Sequence, residues 1–136
     1  MTVKDYLAQI KILETDMADK MNEIRRLKPM LGMKAIEYSS DRVQTSPDGS
    51  GFTRIADRIA DLEQEIVQCS YSRQDIIRKI ESLPLKYSSV LFEVYVRHAG
   101  SIESAAINLS LSYGRVSHLH IEALLEFDKR FKVSKK

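Results

Sequence analysis

Polar side chains that can contact a nucleic acid are concentrated in one short segment, residues 112–122. An arginine there can donate hydrogen bonds to a phosphate or to a guanine edge, and serine, histidine and tyrosine side chains reach phosphates, bases or a thymine methyl group. Such contacts need a helix whose opposite face is apolar and buried. The candidate DNA-binding residues are those that the apolar spacing leaves outside, together with the serine that precedes them: Ser112, Tyr113, Gly114, Arg115, Ser117, His118 and Glu122.

Each of these side chains also has a simpler explanation. Arg115 can be a solvated surface charge, His118 a surface histidine, and Tyr113 can pack on the turn before it. His120 is interpreted as structural or incidental. The two histidines do not predict a metal site, because positions i and i+2 of a helix diverge by about 200° and no cysteine or third ligand lies near them in sequence.

Residue patterns typical of enzymes are missing. The chain has no Gly-rich phosphate loop, no nucleophile elbow and no convincing pair of carboxylates. The acidic residues of the central segment fit a solvated helix face: Asp57, Asp61, Glu63 and Glu65. The sequence therefore predicts a protein that is not an enzyme and needs no cofactor or metal.

Length and composition limit the architecture and the compartment. At 136 residues the chain has room for one compact domain, or for a small domain carried on an extended element. The single cysteine, Cys69, cannot form an internal disulfide and fits a reducing compartment. No apolar run is long enough for a membrane helix, and the N-terminus lacks a signal-peptide pattern. We therefore expect a cytoplasmic protein with no membrane partner.

The charge is unevenly distributed along the chain. Residues 84–136 carry eight Lys or Arg against five Asp or Glu, whereas residues 1–83 carry thirteen against fourteen. An excess of positive charge near the C-terminus fits an anionic partner, although a solvating basic tail is an equal alternative.

Two apolar stripes, each with steps of three and four residues, lie in the first 83 residues and predict two helices. Neither helix can bury its own stripe without a partner. The first consists of Tyr6, Ile10, Leu13, Met17, Met21, Ile24, Leu27 and Leu31, and the second of Ile55, Ile59, Leu62, Ile66, Cys69, Ile76, Ile77, Ile80 and Leu83. The Ser-, Gly- and Pro-rich residues 38–52 between them predict a mobile loop, and Pro29 predicts a kink or brief interruption. The stripes predict a long antiparallel coiled-coil hairpin over residues 1–83, which can also pair with a second copy as a homodimer.

Residues 84–136 predict a separate helical domain. Pro84 suits the first turn of a helix that Gly100 ends. Two shorter helices follow, Ile102–Leu109 capped by Ser101, and Tyr113–Phe127 or slightly beyond, capped by Ser112. Two such helices joined by a tight turn are typical of a helix-turn-helix, so the predicted fold is all-α, a hairpin followed by a helix-turn-helix domain with a basic tail.

Residues 83–127 resemble region 4 of the sigma-70 family of RNA polymerase sigma factors. The resemblance is carried by the Leu-Pro start at Leu83-Pro84, the ending Tyr95-Val96-Arg97-His98, and a Ser-capped recognition helix with Val116, Leu119, Ala123 and Leu124 at the core positions. The whole chain, opening on Lys-Asp-Tyr-Leu, resembles small regulators from phages and prophages of Gram-positive bacteria. That family, largely a domain of unknown function, is similar to phage late-transcription activators.

The chain departs from the sigma pattern at the turn and at the start of the second helix. Ser110 occupies the turn position that is usually glycine, and it can still enter a left-handed conformation at some cost. Tyr113 and Gly114 occupy positions where sigma factors often have charged base-reading residues. The usual promoter −35 sequence is therefore not the expected target.

The resemblance implies a sequence-specific, DNA-binding transcriptional regulator, an activator of phage type that acts with host RNA polymerase on double-stranded DNA. Two alternatives stay open. A phage packaging component such as a small terminase subunit also joins a helix-turn-helix to a helical oligomerisation element, and would form a ring of eight or more copies. A polymerase-binding module would have no DNA target of its own.

Overall fold

The computed structural model describes the backbone of residues 2–40 and 45–133, and the side chains of residues 2–31 and 51–133. Over these ranges the regular structure is entirely helical, which confirms the all-α prediction. The helices are α1 (Val3–Ser40), α2 (Thr45–Glu81), α3 (Leu85–Leu91), α4 (Ile102–Leu109) and α5 (Tyr113–Phe131). A π-helical turn, Phe92–Val96, continues α3.

The predicted loop over residues 38–52 is too long, because α1 continues to Ser40 and α2 begins at Thr45. Residues 41–44 lie outside the described residues. Pro47 falls in the first turn of α2, where a missing N–H removes no helical hydrogen bond. Pro29 lies inside α1 without ending it, although a proline there removes one helical hydrogen bond and crowds the preceding turn. Turn-forming residue types alone therefore misplaced the helix ends.

The chain forms two compact units, and their division differs from the predicted boundary after residue 83. Unit 1 comprises Met1–Glu14 and Tyr71–Lys136, and unit 2 comprises Thr15–Ser70. The physical reason lies in the apolar faces at the start of α1 and the end of α2. These faces are buried in one core with α3 and α5, so they belong to the same unit as the C-terminal helices.

The main core of unit 1 draws on four helices. Leu7, Ile10, Ile80, Leu91 and Phe127 are fully buried in it. Burying each large apolar side chain contributes about 1.5–3 kcal/mol, so this cluster accounts for much of the stabilisation. The Phe127 ring also lies beside Tyr6, with centroids 5.8 Å apart. The core thereby fixes the C-terminal half of α5 against the first turns of α1.

A second core cluster holds α4 against α3 and α5. It consists of Val90, Ala105, Ala106, Val116 and Leu119. The two alanines are 0% and 5% exposed, so the small side chains let α4 approach its neighbours closely. This cluster fixes the relative placement of α4 and α5.

The segment between the π-helical turn and α4 is held by Glu14. Its carboxylate accepts from Arg73 Nε at 2.6 Å and pairs with His98 Nε2. Burial alone would raise the pKa of Glu14, but the hydrogen bonds from His98 and Arg73 outweigh it and hold that pKa below its ordinary value.

His98 has a φ of 57° and Gly100 a φ of 89°. The helical run therefore ends at Val96, earlier than the predicted stop at Gly100.

Unit 2 consists of the facing parts of α1 and α2. Lys20 contacts Glu65 at 3.5 Å, and Arg58 contacts Glu23 at 3.1 Å, so residues further along α1 pair with residues earlier in α2. Cys69 Sγ donates to an Asp16 carboxylate oxygen at 3.3 Å. Burial and the Asp16 carboxylate raise the pKa of the Cys69 thiol, so it stays protonated and acts as a packing residue.

Candidate nucleic-acid interface

The turn between α4 and α5 is closed by a left-handed serine. Ser110 has φ 60° and ψ 40°, the conformation that the sequence predicted for this position. The Ser110 N–H donates to the Ile107 carbonyl at 3.2 Å, and the Leu111 N–H donates to the Ala106 carbonyl at 2.9 Å. These two bonds form a Schellman motif, which satisfies carbonyls at the end of a helix. The chain therefore turns within three residues before α5 begins.

Side-chain caps start both helices where the sequence predicted them. Ser101 Oγ accepts from the Ser104 N–H at 3.1 Å, and Ser112 Oγ accepts from the Arg115 N–H at 3.1 Å. Each cap satisfies one of the backbone donors that a helix start leaves without a partner, and contributes about 1 kcal/mol. Because Ser112 caps the first turn of α5, its side chain is engaged with the helix.

The inward face of α5 matches the predicted core positions. Val116, Leu119 and Ala123 are buried, and Leu124 is half-buried against the main core. The buried residues of α5 are spaced three and four apart, so the opposite face of the helix is turned away from both core clusters.

The outward face of α5 displays most of the predicted site residues. Tyr113, Gly114, Arg115 and His118 are exposed, and Ser117 is half-buried. The Tyr113 side chain is 57% exposed, so its ring is not packed on the turn. It lines an open cleft of about 420 Å³ together with Ser101, Ile102 and Glu103.

Gly114 leaves open space on this face. A Cβ placed there would meet nothing within 4 Å, so packing within the chain does not require a glycine. Glycine in a helix costs about 0.5–1 kcal/mol relative to alanine. A position that is helical, exposed and unfavourable for stability suits a close approach of the backbone to a ligand.

The start of α5 has a positive electrostatic character. Its first turn contains no acidic residue, and the N-terminal end of a helix carries the positive end of the helix dipole. Among the described residues, no carboxylate lies within ion-pair distance of the Arg115 guanidinium. Exposed backbone and side-chain donors in this turn thus point to an anionic ligand.

Glu122 is placed differently from the other predicted site residues. One carboxylate oxygen lies 2.9 Å from His118 Nε2, and the other accepts from the Tyr87 hydroxyl at 3.4 Å. Both oxygens are therefore engaged within the chain. The sequence placed Glu122 with the DNA-contacting residues because it lies on the outer side of the helix, but it did not reveal the contact with Tyr87 on α3.

His120 is a buried residue whose partner the sequence did not reveal. It is 8% exposed, and its Nε2 lies 2.9 Å from the Tyr95 hydroxyl. Its spacing of four from Val116 and three from Ala123 already places it on the inward face. The helical spacing could therefore have predicted its burial, whereas its contact with the π-helical turn depends on tertiary packing.

The described residues form no metal centre. No group of three His, Cys, Asp or Glu side chains in these ranges could hold a metal ion. None of the described helices is long and apolar enough to cross a membrane. Comparison of the chain with protein-family models, curated proteins and solved structures finds no significant match. The function must therefore be inferred from the residues of the chain themselves.

Proposed function

We propose that the chain binds double-stranded DNA through α4 and α5, acting as a helix-turn-helix, and that it regulates transcription. In this proposal α5 is the recognition helix and its first turn enters the major groove. The single observation that carries the proposal is the contrast between the two faces of α5. Val116, Leu119 and Ala123 are buried, whereas Tyr113, Arg115 and His118 are exposed at the end of the helix that follows the tight turn.

The assignment of contacts follows from the chemistry of these side chains. Arg115 donates to a phosphate or to the O6 and N7 atoms of guanine, and Tyr113 contacts a phosphate or a thymine methyl group. Gly114 lets the backbone of the first turn come close to the sugar-phosphate chain. Ser112 holds that turn together through its cap, and Ser117 lies at the edge of the contact.

A salt series on a duplex tests this proposal. The wild-type chain, Arg115→Ala and Arg78→Ala are titrated into a fluorescent 30-base-pair duplex of mixed sequence. Arg78 is also exposed but lies on α2, so its variant is a matched control for the lost charge. We expect Arg115→Ala to weaken binding and to lower the slope of log K against log salt by about 1. Arg78→Ala leaves both unchanged.

Two results contradict the proposal. One is the absence of duplex binding by the wild-type chain at low salt, and the other is an equal effect of the two arginine variants. The Arg115→Lys variant distinguishes the two contacts proposed for Arg115, since lysine can replace arginine at a phosphate but not at a bidentate guanine contact.

Self-association through α1 and α2 belongs to the same proposal, with these helices forming an antiparallel hairpin. A single DNA-binding module buries only about 600–1,000 Å² of protein surface, so a second copy would raise affinity. Several apolar side chains of the two helices are exposed: Ile12, Met21, Met30, Val67 and Tyr71. Sedimentation equilibrium measures the assembly. A dimer supports the proposed self-association, a monomer or a dimer favours regulation, and a ring of eight or more copies would support packaging.

RNA polymerase is the second proposed partner, because residues 83–127 resemble sigma region 4. Co-purification of the chain with a bacterial RNA polymerase tests it. Retention of the chain on immobilised polymerase in 150 mM salt, roughly the physiological ionic strength, supports the partner, and its complete elution contradicts it.

A further inference from the structure

We propose that Glu122 and Tyr87 are positioning residues, which hold the His118 ring for contact with a DNA phosphate. This inference rests on the proposed DNA binding of α5. His118 Nε2 lies 2.9 Å from Glu122 Oε2, one turn further along the helix. Because Nε2–H donates to the carboxylate, Nδ1 is the ring nitrogen left for a ligand, and in the imidazolium form its N–H donates to a phosphate oxygen. The His118 side chain is 65% exposed and open to such a contact.

Tyr87 anchors this arrangement to the interior of unit 1. Its ring is half-buried and packs against both core clusters. Its hydroxyl donates to Glu122 Oε1 at 3.4 Å, so the two carboxylate oxygens have one partner each, on two different helices. Glu122 thereby links an exposed ring on α5 to a residue held by the cores between α3 and α5.

Such a link matters for binding because an unrestrained surface histidine has several rotamers. A side chain that is already held in the bound orientation loses less conformational freedom when the complex forms. The carboxylate is itself a poor direct contact, since a phosphate repels it and its base-edge partners are restricted to the amino groups of cytosine and adenine. Glu122 therefore contributes through His118.

The direction in which one substitution changes DNA affinity distinguishes a positioning role of Glu122 from simple charge repulsion. Removing a carboxylate from a helix that faces DNA normally strengthens binding, because a repulsive charge is lost. If Glu122 positions His118, Glu122→Ala instead weakens binding. Glu122→Gln keeps one oxygen that accepts from His118, while its amide NH2 can donate to the Tyr87 hydroxyl, so it restores the link.

The experiment measures affinity for a fluorescent 30-base-pair duplex of mixed sequence at low salt. We expect Glu122→Ala to weaken binding about threefold to tenfold, Tyr87→Phe to weaken it less, and Glu122→Gln to stay close to wild type. In a His118→Ala background, Glu122→Ala no longer weakens binding and changes it only as Glu126→Ala does. Glu126→Ala is the matched control, since it removes the same charge from α5 one turn further along.

Four outcomes overturn the inference. If the Glu122→Ala and Glu126→Ala variants bind the duplex equally tightly, only the lost charge matters. If Glu122→Ala weakens duplex binding equally in the wild-type and His118→Ala backgrounds, Glu122 has a structural role that does not act through His118. If Glu122→Ala fails to fold, as judged by circular dichroism, unchanged binding by Tyr87→Phe overturns the link. Absence of duplex binding by the wild-type chain refutes the proposed function itself, and this inference with it.

Discussion

The hydroxyl of Tyr95 and Nε2 of His120 lie 2.9 Å apart and join the π-helical turn to α5 inside unit 1. The two rings are nearly parallel, with an interplanar angle of 22°. Burial lowers the pKa of His120, and the positive charge of Lys4 lowers it further. Burial raises the pKa of Tyr95 to about 12. Both side chains are therefore neutral in the folded chain near pH 7, and one hydrogen bond joins the hydroxyl to the imidazole nitrogen.

This pair makes stability depend on pH just below neutrality. The pKa of His120 is below its ordinary value of 6.5 in the folded state, so the unfolded chain takes up a proton first as the pH falls. The contribution of neutral His120 is thus complete above about pH 6.5 and is lost as the pH falls through the folded pKa. Urea unfolding at pH 7.5 and at pH 5.0 measures the loss.

The control for this prediction is His120→Gln, which has no titratable group at that position. Its free energy of unfolding should change less between pH 7.5 and 5.0 than that of the wild-type chain. Glu14 does not interfere, because its pKa lies below 4.5 and its contribution is lost only at lower pH. Equal pH dependence of the two proteins would contradict the assignment.

Much of the α4–α5 arrangement could be predicted from sequence because its determinants are local. Ser101 and Ser112 precede apolar helical repeats and act as caps, and Ser110 takes the left-handed turn position. The link from Tyr87 to Glu122 and the pair of Tyr95 with His120 could not be predicted. They join residues 35 and 25 positions apart, and helical periodicity does not specify which faces meet.

The boundary between the units shows the same limit. The repeat that includes Ile76, Ile80 and Leu83 predicted a buried face, and these residues are buried. Their partners include Leu91 and Phe127, which lie beyond Pro84 and were assigned to a separate domain. An apolar stripe thus predicts that a face is buried, but not against which element.

The Ser112 cap should contribute to stability by holding the first turn of α5. Ser112→Ala removes the acceptor for the Arg115 N–H, and we expect a loss of about 1 kcal/mol in the free energy of unfolding. Ser112→Asp retains an acceptor and should lose much less. Chemical denaturation checks both variants, and equal losses would show that the cap is not what stabilises this turn.

The two glycines of the C-terminal part should respond to alanine with opposite signs. A Cβ at Gly100 or Gly114 meets nothing within 4 Å, so the difference comes from the backbone alone. Gly114 is helical, and Gly114→Ala should stabilise the chain by up to about 1 kcal/mol. Gly100 has a φ of 89°, and Gly100→Ala should destabilise it by about 1–3 kcal/mol.

The Gly114→Ala variant also tests the proposed approach of DNA to the first turn of α5. Gly114→Ala should weaken duplex binding although it stabilises the fold, since the new methyl group occupies the space proposed for the sugar-phosphate chain. A Gly114→Ala variant that is more stable and binds DNA as tightly as the wild-type chain would contradict that part of the account.

The central claim is that α5 reads a DNA sequence, and selection from a random duplex pool tests it most directly. The full chain is incubated with the pool at near-physiological salt, and bound DNA is recovered and sequenced over several rounds. A parallel selection uses a variant with Arg115→Ala and His118→Ala. We predict enrichment of one short motif by the wild-type chain and its loss or relaxation with the variant. Recovery of no preferred sequence by the wild-type chain, or of the same motif by both proteins, would contradict the account.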